Sequence, residues 1–217
     1  MGTTRSNDSP SDAVRQLERL RSGDQSALGE LFATHRDRLR RMVELRMDWR
    51  LQARVDASDV LQEAYLDAAA RLDGYLREPK VPVFIWLRLI VGERLTNLHR
   101  HHLGTRMRDA GCEVSLQRGA MPAASSAALA SMLLGRLTSP TQAAIRAERV
   151  MRLQEALNTL DASDREIVAL RHFELLSRIE AAQVLGISEE AGAKRYLRAL
   201  KRLKEILAGM PGGLEGL

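Results

Sequence analysis

A chain of 217 residues with 45% apolar side chains is long enough for one medium domain or two small ones with real cores. Its single cysteine, Cys112, excludes an internal disulfide framework and a cysteine-rich metal site. The formal net charge of +5 admits nucleic acid as a partner without demanding it.

Aromatics are scarce at 4%, and Leu, Ala, Arg and Glu are abundant, which points to an all-α protein. Met1 to Asp12 is polar and lacks the apolar stretch of a signal peptide. No run approaches the roughly 20 apolar residues that span a bilayer. Val81–Val91 comes nearest, but it is short and carries Arg88. A cytoplasmic location without membrane insertion is expected.

In chain order, residues 1–11 read as a disordered tail, with Ser11 or Asp12 as an N-cap. Helical periodicity covers Val14–Leu20 and breaks at Ser22-Gly23-Asp24. A helix over Gln25–Arg46 follows, with Leu28, Leu31, Phe32, Leu39, Met42 and Val43 at three- and four-residue steps. Caps within Val55–Asp59 open a helix over Val60–Leu72, whose buried positions are Val60, Leu61, Ala64, Leu66, Ala68 and Leu72. Asp73-Gly74 ends it, a loop reaches Pro82, and a long helix runs over Val83–Leu103. Residues 104–147 have the Ala/Ser/Gly/Pro composition of a linker, with a short helix near Ala127–Leu134. The second domain, 148–208, contains helices over Ala147–Leu160, Ala162–Phe173, Ser177–Leu185 and from Ser188 to Ala208, before a tail at 209–217. Two small helical domains, 12–103 and 148–208, joined by a linker are thus expected.

The segment Ser177-Arg-Ile-Glu-Ala-Ala-Gln-Val-Leu-Gly-Ile-Ser188 has the parts of a helix-turn-helix. Ala181 or Ala182 supplies the small residue where the helices touch, and Gly186 supplies the left-handed turn. Ile187 is the buried residue after it, and Ser188 caps the next helix. Tyr196, Leu200, Leu203 and Leu207 then form an apolar stripe, opposite Lys194, Arg195, Arg198, Lys201 and Arg202. A basic face of this kind is ordinarily a solvated one. After a helix-turn-helix turn it becomes a DNA-reading one, because such helices enter the major groove N-terminus first. Glu190, Ala191, Ala193, Lys194 and Arg195 are placed for base edges, and Arg178, Arg198 and Arg202 for phosphates.

The first domain separates a transcription initiation factor from a stand-alone helix-turn-helix regulator with a sensing or dimerisation domain. Val55-Asp-Ala-Ser-Asp-Val-Leu-Gln-Glu-Ala-Tyr-Leu66 resembles the polymerase-binding segment of sigma factors. Trp86-Leu-Arg-Leu-Ile-Val-Gly-Glu-Arg-Leu-Thr-Asn-Leu-His-Arg-His-His102 resembles the adjoining segment that reads the upstream edge of the −10 element. Over about Ala13–Leu103 and Glu148–Leu207 the chain resembles an extracytoplasmic-function (ECF) sigma factor of the primary-sigma family. The RVDASDVLQEA stretch and the LTSPTQAAIRAE linker end look like sigma factors abundant in planctomycetes.

That resemblance implies core RNA polymerase (the largest-subunit clamp and the second-largest-subunit flap) and promoter DNA as partners, and admits an anti-sigma factor. It implies polymerase contact through Asp59, Gln62 and Glu63, with Val60 or Leu61 as apolar anchor; without the resemblance, Asp59 reads as an N-cap and Gln62 and Glu63 as solvated polar positions. It places the −10 element against Tyr75, Lys80, Trp86, Glu93, Thr96, Asn97, His99 and Arg100. Arg88, Arg94, Arg106 and Arg108 add basic charge, and the Asp73–Lys80 loop resembles one that pockets a flipped base. Tyr75 reads as a stacking residue or a loop anchor, and Trp86 as a wedge or a packing residue. Asn97 stands where the family usually has Asp, and Gly192 and Ala193 where it usually has an apolar residue and Lys. No cofactor is implied. His99, His101 and His102 diverge on a helix and make a poor metal set. No phosphate loop or nucleophile–base pair suggests an enzyme.

Overall fold

Ten α-helices and no strand are found in the computed structural model, which describes residues 10–103, 121–135 and 143–209. The expected tails therefore lie largely outside the described residues, as do Cys112, Arg106 and Arg108. No described helix is long and apolar enough to cross a membrane. The chain divides into two compact units: one runs to Val43 and then over Trp49–Met121, and the other takes Glu44–Asp48 and the chain from Pro122.

The first unit holds α1 (Pro10–Arg21), most of α2 (Gln25–Arg46), α3 (Trp49–Gln52), α4 (Ala57–Arg77) and α5 (Val83–Leu103). Gly23 turns the chain between α1 and α2 at φ 82°, a left-handed value that glycine adopts without steric cost. Leu28, Leu31, Phe32, Leu39, Met42 and Val43 are all buried, as their spacing predicts. Phe32 meets Tyr65 of α4 edge-on at 5.5 Å, and the Arg38 guanidinium lies 3.6 Å over the Phe84 ring of α5. Those two contacts tie α2 to both later helices.

α4 is longer than its sequence indicates. Asp56, not Asp59, is the N-cap: its carboxylate accepts from the Ser58 amide, and Asp59 accepts in return from the Asp56 amide. At the other end the helix continues through Asp73-Gly74 to Arg77, which shortens the loop to Glu78–Pro82. A helical glycine costs about 1 kcal/mol relative to alanine. Burial of Tyr75 one residue later outweighs that cost, and its hydroxyl donates to the Val81 carbonyl at 2.9 Å.

The second unit contains α6 (Ser126–Gly135), α7 (Ala143–Thr159), α8 (Ala162–Val168), α9 (Arg178–Leu185) and α10 (Glu189–Ala208). A π-helical turn over Ala169–Phe173 prolongs α8. α6 and the start of α7 fall within the stretch that composition assigns to a linker. They belong to this unit because α6 packs against α7 and fully buries Leu129 and Ala130. Arg46 of the Glu44–Asp48 segment is almost wholly buried, bonded to Glu166 at 2.6 Å, Glu174 at 2.5 Å and the Pro122 carbonyl at 2.8 Å. The two carboxylates offset the desolvation of its guanidinium.

Replacing Gly74 by alanine should stabilise the first unit by about 0.5–1 kcal/mol, because the added methyl meets nothing within 4 Å. Both tryptophans, Trp49 and Trp86, lie in this unit, so urea unfolding followed by tryptophan fluorescence reads the change. A lowered midpoint would show that the helix does not continue through residue 74.

Candidate nucleic-acid interface

α9 begins with a reciprocal cap. The Glu180 amide donates to Ser177 Oγ at 3.1 Å, and the Ser177 amide donates to Glu180 Oε2 at 2.7 Å. The helix stops at Gly186, whose φ of 67° and ψ of 32° are left-handed. The Ile187 amide closes the stop on the Ala182 carbonyl at 3.1 Å. Ser188 caps α10 by accepting from the Ala191 amide at 3.2 Å. Ala181, Ala182 and Gly192 are buried where the two helices meet. A methyl built on Gly192 would lie 3.7 Å from Ala182 Cβ, an ordinary contact distance. Just before α9, Leu175 holds φ 57° half-exposed, a strained choice for a bulky residue, between the buried Glu174 and Leu176.

The inward face of α10 is Gly192, Tyr196, Ala199, Leu203 and Leu207, with Tyr196 partly covered. Leu200, expected in that stripe, is 37% exposed, and Ala199 takes its place because the buried line advances by three residues from Tyr196. Glu190, Ala191, Lys194, Arg198 and Lys201 are exposed, while Ala193 and Arg195 are half-buried. Lys194 pairs with Glu190 at 2.6 Å one turn earlier, a surface contact of little energetic weight. Arg202 is exposed, and its guanidinium bridges Asp161 at 2.9 Å and the buried Asp164 at 3.0 Å at the start of α8. Arg178 is exposed at the first turn of α9. It lines a cleft of about 300 Å³ with Arg171, Ile167, Tyr196 and Leu197. Arg171 has no place in the sequence motifs. Its guanidinium sits 5.6 Å from the Tyr196 ring centre and donates to the Leu176 carbonyl.

In the first unit, Asp59, Gln62 and Glu63 are exposed along one face of α4. Val60 and Leu61 are 4% and 2% exposed and belong to the core, which removes both as a surface anchor. Leu66, expected inside, is 62% exposed and lies seven residues from Asp59 on the same face. Arg94 of α5 holds Asp67 through two bonds of 2.5 and 2.9 Å and approaches Glu63 at 3.5 Å.

On α5, Glu93, Asn97 and Arg100 are exposed at steps of four and three. Glu93 pairs with Arg71 at 2.6 Å, and Arg100 donates to the Asn97 side chain. Thr96 is half-buried, its hydroxyl donating to the Gly92 carbonyl at 2.8 Å. His99 and Arg88 are buried, so neither faces outward. Tyr75 and Trp86 stack at 4.4 Å with planes 16° apart. The Tyr75 ring therefore anchors the α4–α5 corner rather than standing open to a base, and burial pushes its phenol pKa up. Lys80 is exposed beside Glu78 at 3.4 Å.

A family model described as Sigma-70, region 4 matches residues 150–203, from within α7 to within α10. SigD of Mycobacterium tuberculosis, an ECF RNA polymerase sigma factor, is 31% identical over 188 residues, covering 86% of this chain and 80% of SigD. The chain belongs to the ECF RNA polymerase sigma factors. As such it binds core RNA polymerase and promoter DNA and directs transcription initiation. The sigma factor CnrH of Cupriavidus metallidurans is 29% identical over 201 residues, with 91% of this chain and 96% of CnrH covered. A solved structure of CnrH in complex with the cytosolic domain of CnrY shares the fold, with a TM-score of 0.51 and 24% identity. That likeness covers 92% of this chain and 96% of the CnrH chain.

In this sigma factor Gly192 is not a required glycine, since a methyl there would meet Ala182 and Ile187 at ordinary contact distances of 3.7 and 3.8 Å and its φ is not left-handed. Gly192→Ala should raise the second unit's stability by about 0.5–1 kcal/mol while leaving duplex affinity within about twofold. Thermal unfolding by circular dichroism beside a DNA-binding titration tests this. Destabilisation would mean the α9–α10 contact is tighter than described.

Proposed function

We propose that the two units divide promoter recognition. The second unit presents α10 to the major groove of the −35 element, near the polymerase flap. Glu190, Ala191, Ala193, Lys194 and Arg195 face base edges there, with Arg178, Arg198 and Arg171 at phosphates. The observation that carries this reading is the sorting of α10: its inner line is fixed in the core behind a left-handed turn. Its outward residues from Lys194 to Lys204 include no acid. The first unit docks on the clamp of the largest polymerase subunit through Asp59, Gln62, Glu63 and Leu66. This supplies acidic and amide groups around one apolar anchor. Exposed Glu93, Asn97 and Arg100 of α5, with Lys80, meet the −10 region beside the Tyr75–Trp86 stack. Melting then draws on tighter binding of unpaired than paired bases.

Tethering two weak sites on one chain raises effective concentration without new contacts. The factor acts in the cytoplasm and performs no covalent chemistry; core polymerase does that. An anti-sigma protein is a further partner in this proposal, CnrH being known with the cytosolic domain of CnrY. The match to SigD extends over the first unit, which argues against a stand-alone regulator.

With the full chain, Asp59→Ala with Leu66→Ala should weaken core-polymerase binding by about tenfold or more and leave duplex affinity unchanged. Arg198→Ala should do the reverse and flatten the plot of log affinity against log salt by about one phosphate contact. Equal losses in both assays for either variant would show the surfaces to be misassigned.

A further inference from the structure

Leu197 is out of character with its surroundings. It is 67% exposed on α10, although its neighbours Tyr196 and Ala199 turn inward. It lies on the line Glu190, Lys194, Leu197, Lys201, at steps of four, three and four, with exposed Arg198 beside it. It lines the cleft that also holds Arg171, Arg178, Ile167 and Tyr196, yet two thirds of it stays exposed. The centres of protein–protein interfaces are depleted in lysine, yet lysines stand one turn before and one turn after Leu197. A nucleic-acid surface accommodates that mixture, with cations toward phosphates and an apolar tip between them. In the major groove of DNA the one apolar group on a base edge is the thymine C5-methyl.

We propose that Leu197 is a specificity residue that packs on the C5-methyl group of one thymine in the upstream promoter element. The proposal rests on α10 being the helix that reads that element. It adds that one position is chosen by an apolar contact rather than by hydrogen bonds, and that the contact lies about two turns along the helix.

The test uses holoenzyme assembled from the full chain and core RNA polymerase. A randomised upstream element is selected for binding, and each selected thymine is then replaced singly by deoxyuridine, which removes only the methyl. Wild-type affinity should fall about fourfold at one position, the worth of roughly one buried carbon. Leu197→Ala should bind the two DNAs alike at that position and respond as wild type elsewhere. Equal deoxyuridine effects in both proteins, or a selected element without thymine, would overturn the proposal. So would a loss of polymerase binding by Leu197→Ala without DNA, which would make the residue a protein anchor. Arg198→Ala is measured in parallel. If it weakens duplex binding while the Leu197 comparison is flat, only this inference fails; if it changes nothing, the reading of α10 fails with it.

Discussion

The close seating of α9 on α10 governs what the second unit can do. Ala181 and Ala182 keep the contact small enough for the helices to approach, and left-handed Gly186 sets the direction in which the chain leaves α9. With that geometry fixed, the inward line Tyr196–Ala199–Leu203–Leu207 determines which residues of α10 must face outward. The basic side chains are displayed because the apolar ones are held. A larger side chain at Ala182 would push the helices apart and rotate the display, even though it touches no nucleic acid.

Pairing inside each unit decides which charges remain for partners. Arg202 bridges Asp161 and Asp164, Arg94 clasps Asp67, and Arg46 is enclosed by Glu166 and Glu174. Such pairs hold helices together within each unit. The exposed basic residues of α10 are Lys194, Arg198, Lys201, Arg202 and Lys204, with Leu197 among them. On α4 the outward set is Asp59, Gln62, Glu63 and Leu66, a mixed acidic and apolar strip. The acidic and apolar strip on α4 suits a protein partner, and the basic face of α10 suits DNA.

Most of the helical plan was legible because it follows from local rules. α2 and α5 lie within the bounds their periodicity gives, and the helix-turn-helix is spelled out by its caps and its glycine. Tertiary context overrode those rules at particular places. Gly74 resembles a stop, but Tyr75 beyond it has a buried seat that keeps α4 intact. The alanine-rich stretch before α7 has linker composition, yet Leu129 and Ala130 find a partner helix. At the candidate sites, spacing alone could not tell Leu61 from Leu66, since both are apolar positions of one helix and only packing shows which faces out. His99 and Arg202 were similarly ambiguous. Arg171 carried no motif at all; it emerges only where the π-helical turn brings it beside Tyr196.

The most direct test of the division between units is a hydroxyl-radical footprint on one selected promoter. It compares the chain alone, core polymerase alone, and the two together, with permanganate oxidation of unpaired thymines read in parallel on the same promoter. Only the combination should produce two separated zones, one of protection over upstream duplex and one where thymines become permanganate-reactive as unpaired strand. The same two zones with the chain alone, or a single zone in the combined complex, would contradict the account.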